Sequence, residues 1–195
     1  NTIYGIDALV GMSLKSGYNS NDYDWDNNSW FGCKGNGKFM NNLTFSAWKQ
    51  TYSVDANSTH SSGKPTTNAV FVRPNKYKSG RGHIAVFNWE QKNLVAVDIS
   101  SGVQACDTFE IWDAQNILSK SPALTGVYQG GTISVPMNLT AVTLANGNTP
   151  NKGSHTGKDF GAFLITSKSA QQGQPSSAKS AISPILAEAN IYPNP

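Results

Sequence analysis

Apolar residues alternate with polar ones through the middle of the chain. Residues 83–89 set Ile84, Val86 and Asn88 on one face and Ala85, Phe87 and Trp89 on the other, the period of a half-buried strand. Runs of similar texture cover 69–73, which stops at Pro74, and 94–99, 108–112, 126–128, 132–135 and 160–166. Residues 90–93 read as a hairpin turn. Gln129-Gly130-Gly131 reads as a second, because glycine accepts positive φ. About seven short strands with close turns predict an antiparallel β-sandwich. Residues 113–120 predict a short helical turn, and no strand–helix alternation is long enough for βαβ units.

The flanks differ. Residues 3–14 predict one or two buried strands. Residues 43–52 predict a short helix, with Thr44 or Ser46 as its N-cap and Phe45, Trp48 and Tyr52 on one face. No second full repeat occurs within 1–66. One coil of a repeat array cannot bury its own faces, so this part is expected to lean on whatever precedes residue 1, on the sandwich, or on both. Residues 167–190 are rich in Ser, Ala, Gln and Pro and predict a flexible linker. It ends in Ile191, Tyr192, Pro193, Asn194 and Pro195, where two prolines around Asn favour an extended, turn-prone piece. The chain therefore divides into 1–66, 67–166 and 167–195.

Composition narrows the class. Of the 195 residues only 14% are charged, against about a quarter in an average soluble protein. That is too few for the wet faces of a long helical bundle or coiled coil. The 18 glycines, 9 prolines and 10% aromatics, with abundant Asn, Ser and Thr, suit an extracellular all-β protein. A net charge of +3, with no Lys/Arg run, does not suggest nucleic acid. No apolar stretch approaches the ~18 residues of a membrane-spanning helix. The opening at Asn1, without Met or signal peptide, is expected for a mature chain or a fragment. Cys33 and Cys106 could form one disulfide or remain two buried thiols.

Residues 19–30, NSNDYDWDNNSW, are the most unusual stretch. Asp22, Asp24 and Asp26 fall at positions 1, 3 and 5 of an EF-hand-like start, but Asn27 replaces the glycine and Cys33 the closing Glu, so that motif fails. A looser calcium loop built on the three aspartates competes with plain hydrated Asx-turns. Tyr18, Tyr23, Trp25 and Trp30 are candidate carbohydrate-stacking rings, against the alternative that they pack inside. Glycoside hydrolysis needs two facing carboxylates. Asp22, Asp24, Asp26, Asp55, Asp98, Glu110 and Asp113 offer no pair that spacing can defend, and the last three are expected at solvent-facing or turn positions. His60, His83 and His155 fit no metal or catalytic spacing, and His83 is expected to be a partly buried packing residue. No nucleophile elbow, zinc helix or phosphate loop is present. No catalytic residue is assigned.

Two stretches carry a family resemblance. FVRPNKYKSGRGHIAVFNW (71–89), VAVDIS (95–100), FEIWDAQN (109–116), GVYQGGTISVPM (126–137) and DFGAFLIT (159–166) resemble, in order, the C-terminal β-sandwich that follows right-handed parallel β-helix domains in secreted bacterial proteins. TFSAWKQTYSVDANS (44–58) is similar to the helix-and-exit segment of such β-helices, with Asp55 to Ser58 leading out of the last coil. The phrase at 191–195, placed after a linker, resembles the opening of a type A C-terminal sorting domain of the type IX secretion system of Bacteroidota. The resemblance implies an all-β chain, the end of a parallel β-helix followed by an antiparallel sandwich and a flexible tail. It also implies secretion or cell-surface attachment, with the type IX translocon and attachment machinery as partners. The implied role is non-catalytic: the sandwich caps the β-helix and links it to the sorting domain. The alternative is part of a carbohydrate-active β-helix enzyme, a polysaccharide lyase or glycoside hydrolase, or a carbohydrate-binding module, with polysaccharide contacting residues 18–31.

Overall fold

A computed structural model describes residues 1–5, 24–32, 38–40, 42–144 and 153–169. The described chain is mostly β and forms three sheets. Strands β1 (Thr2–Tyr4), β2 (Ser29–Phe31) and β3 (Thr59–Ser61) make a parallel sheet in chain order. Thr2 faces Ser29, and Ser29 faces Thr59. The same step repeats beside it, since Asn1 bonds Asn28 across 27 residues and Asn28 bonds Ser58 across 30. The strands are short because Gly5 and Gly32 end the first two. They sit so close that a Cβ on Gly32, at φ 92, would collide with the Gly5 carbonyl.

Helix α1 (Phe45–Tyr52) closes the side of this stack. Of the two sequence-predicted caps, Thr44 is used, its hydroxyl accepting the Ala47 N–H at 3.2 Å. Phe45, Trp48 and Tyr52 do share a face, and it packs on Trp30, Phe39 and Met40. Ser53, at φ 52, ends the helix with its N–H on the Lys49 carbonyl. Sequence reasoning missed β2 and β3, because three-residue strands have too few positions to show a period. Of the one or two buried strands expected over 3–14, the described part is β1, in which Thr2 and Tyr4 are exposed and Ile3 is half-buried; residues 6–14 lie outside the described residues.

The sandwich has one five-stranded antiparallel layer, ordered β4 (Ala69–Pro74), β5 (Arg81–Phe87), β10 (Phe160–Lys168), β7 (Thr108–Asp113) and β8 (Leu124–Val127). The second layer pairs β6 (Leu94–Asp98) with β9 (Thr132–Pro136). Ile84, Val86, Ile111, Phe163 and Ile165 from the first meet Val95, Val97 and Val135 from the second in one core. The predicted helical turn is a single 3-10 turn, Ala114–Asn116.

Both expected hairpins are corrected. β5 and β6 lie in different layers. Asn88 folds the link on itself: its amide donates to the Lys92 carbonyl at 2.7 Å and its oxygen accepts the Lys92 N–H at 3.1 Å. β8 and β9 are separated likewise. Gly130 (φ 89) and Gly131 (φ 73) carry the chain from one layer to the other, and the Tyr128 hydroxyl donates to the Gly131 carbonyl at 2.8 Å. The glycines serve the bend as expected, but each strand found its partner elsewhere. Ser167 and Lys168, assigned from sequence to the linker, belong to β10, and the rest of the tail from 170 onward lies outside the described residues.

Candidate functional site

Asp55 is fully buried and lies at φ 56 in the turn between α1 and β3. Its Oδ1 accepts the side-chain amide of Asn28 at 3.2 Å and the indole N–H of Trp30 at 3.1 Å. Its Oδ2 accepts the indole N–H of Trp48 at 2.9 Å, and its backbone N–H donates to the Trp25 carbonyl at 2.7 Å. A buried carboxylate is tolerated only when its lone pairs are satisfied; here three neutral donors from β2, α1 and the residue before β2 supply that.

The following residues extend the hub. Asn57 donates its backbone N–H and its side-chain amide, both at 2.7 Å, to the two oxygens of Asp26. The Asn57 backbone N–H holds the Asp26 carboxyl below its ordinary range. Ser58 Oγ accepts the Asn28 N–H at 2.9 Å. The Asp-Ala-Asn-Ser phrase thus clamps 26–30 against 55–58 through hydrogen bonds.

Of the residues nominated from sequence, the structure brings Trp25 and Trp30 together, with Trp30 in the interior. Trp30 is 2% exposed and edge-on to Phe39 at 5.3 Å. A ring so enclosed, its N–H spent on Asp55, has no face for a sugar, so Trp30 is a core residue and not a binding ring. Trp25 stacks on Trp30 at 6.1 Å and 15°, and its indole nitrogen is buried without a partner among the described residues. Asp24 is exposed, while Asp26 faces Asn57. Among the described residues no three His, Cys, Asp or Glu side chains converge as metal ligands. Tyr18, Asp22, Tyr23, Cys33 and the phrase 191–195 lie outside the described residues. Cys106, at φ 72, forms no disulfide among the described residues, and it is exposed where a buried thiol was the alternative expected.

Among the later carboxylates, Asp98 is exposed and accepts the Ser100 N–H at 2.9 Å, which lowers its pKa. Burial, and then the Asp98 charge, raise the phenol pKa of neighbouring Tyr128. Glu110 Oε2 accepts the Trp112 indole N–H and the Thr166 hydroxyl, each at 3.1 Å. Asp113 was expected at a turn or toward solvent; it caps the 3-10 turn, but it is buried there. It accepts from His155 Nε2 at 2.9 Å and from the Gln115 N–H at 3.0 Å. His155 Nδ1 accepts the Gly157 N–H at 2.9 Å, which fixes the proton on Nε2. With both ring nitrogens engaged, His155 has no lone pair left for a general base. The pair is a clasp holding 153–157 to the 3-10 turn. His60 also serves structure, its Nε2 against the Gly32 carbonyl at 2.8 Å. His83 was expected to pack, and it is exposed on the outer side of β5, where the side chain meets solvent.

The same outer face carries the feature that sequence reasoning passed over. Phe71, Phe87 and Trp89 line a groove of about 770 Å³ between the five-stranded layer and the parallel stack. The stack contributes Asn1, Thr2, Tyr4, Asn27 and Ser29. Phe87 and Trp89 lie nearly parallel at 6.1 Å and 16°, and Tyr4 meets Trp89 edge-on at 5.1 Å. The alternation across 83–89 already put Phe87 and Trp89 on one face; what could have found the site was a reason to ask what lay over that face.

The chain matches no protein-family model, no curated protein and no solved structure.

Proposed function

We propose that this chain is a non-catalytic module of a secreted bacterial protein: it ends a parallel β-helix, joins it to an antiparallel sandwich and leads on to a type IX sorting segment. The observation that carries the reading is the Asp55 hub. One buried carboxylate ties β2, α1 and the turn into β3 together, which is what the last coil of a stack requires if it is to stay closed. Three parallel strands in register, in chain order and about one coil apart, support the coil reading. So does the use of four further carboxylates. Asp26, Asp98, Glu110 and Asp113 each accept bonds that hold a loop or strand, and that arrangement favours a scaffold over an acid–base pair. The sorting role rests on the residues Ile191 to Pro195 themselves.

Two experiments test this. Incubated with neutral and uronate polysaccharides, the chain is expected to release neither reducing ends nor unsaturated sugars; release of either refutes the non-catalytic role. In the whole parent protein, expressed in its host, Tyr192→Ala with Pro193→Ala is expected to strand the protein in the periplasm. Undiminished surface delivery refutes the sorting role.

A further inference from the structure

Among the described residues several large rings are inside the protein. Trp48, Phe39, Phe109 and Phe163 are all buried. Against that background Tyr4, Phe71 and Phe87 keep 39%, 46% and 38% of their surface exposed, and all three line one groove together with Trp89. Clustered exposed rings forgo burial worth about 25 cal/mol per Å², and such patches mark binding surfaces. Further along the same face, Phe160 packs on Phe87 at 5.1 Å and braces that ring from behind.

We propose that this groove binds a neutral polysaccharide, gripping pyranose rings between its aromatic floor and its amide and hydroxyl rim. The lining selects this chemistry in three ways. The near-parallel Phe87 and Trp89 offer flat apolar surface, which complements the C–H face of a sugar ring. Asn1, Thr2, Asn27 and Ser29 stand along the opposite wall, where they can exchange hydrogen bonds with the hydroxyl edge. Among the described residues lining the groove none is Asp, Glu, Lys or Arg, and the one charge there is the α-ammonium of Asn1, already bonded to the Asn27 carbonyl at 3.4 Å, so a polyuronate or nucleic acid would find a single counter-charge at most. A purely apolar protein surface would instead leave the rim's amides and hydroxyls dry and unpaired, which costs affinity. The volume falls inside the range of about 300–1,000 Å³ usual for small-ligand sites. The site shares no residue with the nominated set Tyr18, Tyr23, Trp25 and Trp30, and it does not depend on the module reading above: a structural cap with or without a sugar groove remains a cap.

The test is calorimetric titration of the full chain with soluble mixed-linkage β-glucan, galactomannan and arabinoxylan, with polygalacturonate as the anionic comparison. Phe71→Ala, Phe87→Ala and Tyr4→Ala remove groove rings, and Tyr77→Ala removes a ring that is 91% exposed outside the groove. At least one neutral polysaccharide is expected to bind the unaltered chain and Tyr77→Ala equally. Each groove variant is expected to weaken that binding about tenfold, the loss appropriate to one stacking ring. A melting temperature is recorded for every variant; should Phe87→Ala unfold, Phe71→Ala on the edge strand and Tyr4→Ala decide the matter. The proposal is overturned if no neutral polysaccharide binds, if only polygalacturonate binds, or if binding survives loss of the groove rings. It is equally overturned if sedimentation shows self-association that Phe71→Ala abolishes, since the groove would then be an interface between copies.

Discussion

The carboxylate of Asp55 and the indole of Trp48 meet at 2.9 Å with neither group exposed to water. Seven residues separate them, yet the contact joins the helix to the turn that leads into β3. Asp55→Ala would leave the donors of Asn28, Trp30 and Trp48 buried and unpaired. At ~1–3 kcal/mol for each orphaned group, a loss of at least about 3 kcal/mol is expected. Asp55→Asn keeps one acceptor and tolerates positive φ, so it should cost less, about 1–2 kcal/mol. Urea unfolding followed by Trp fluorescence would order the three proteins; equal midpoints would show that the hub contributes nothing.

Gly32 makes a second, steric demand on the stack. Its φ of 92 and the Gly5 carbonyl against its α-carbon leave no room for a methyl group. Gly32→Ala is expected to destabilise the protein by about 2–4 kcal/mol, from backbone strain plus overpacking. Gly153→Ala, where nothing lies within 4 Å of the added carbon, should be near neutral. A comparison of the two melting temperatures checks this.

Acid should loosen the clamp between Asp26 and Asn57. The folded pKa of Asp26 lies below its ordinary value of 3.8, chiefly because the Asn57 N–H bonds the charged form. A depressed folded pKa means that this stabilisation is full above the ordinary value and is lost as pH falls through the lower, folded one. The difference in unfolding midpoint between the unaltered chain and Asp26→Asn should therefore be constant near neutrality and shrink below pH 3.8. A gap that persists undiminished at pH 2 would contradict the assignment.

For His155, nitrogen chemical shifts at alkaline pH should report a neutral ring protonated at Nε2, as its bonds to Asp113 and Gly157 require. Asp113→Ala is expected to cost about 1–3 kcal/mol and to raise amide exchange in 153–157 more than elsewhere. Uniform exchange across the sandwich would mean that the clasp does not hold that loop.

Much of the sandwich was legible because alternation reports directly on which side chains face a core. Ile84, Val86 and Asn88 are all buried, as the period required. The helix was legible from Thr44 and the spacing of Phe45, Trp48 and Tyr52. Pairing was not. Whether β5 turns back beside its successor or crosses to another layer depends on Asn88 closing its loop onto Lys92, a bond that no local pattern announces. The candidate site was less legible still. Trp30 stood open between a sugar-stacking ring and a packed one, and Asp55, 25 residues away, supplies the acceptor that lets it go inside. Phe71 and Phe87 carry no local signal of exposure, because nothing in the chain marks one side of a strand as outward.

The order of the five-stranded layer also bears on how the protein reaches its shape. β10, the last described strand, lies between β5 and β7. Until residues 160–168 arrive, β4–β5 and β7–β8 are two separate ribbons with an unfilled slot between them. A chain delivered N-terminus first, by a ribosome or through an export channel, would travel with that slot open and close it only at the end. Contacts of long sequence separation form slowly, so such a chain stays pliable in transit and locks after arrival.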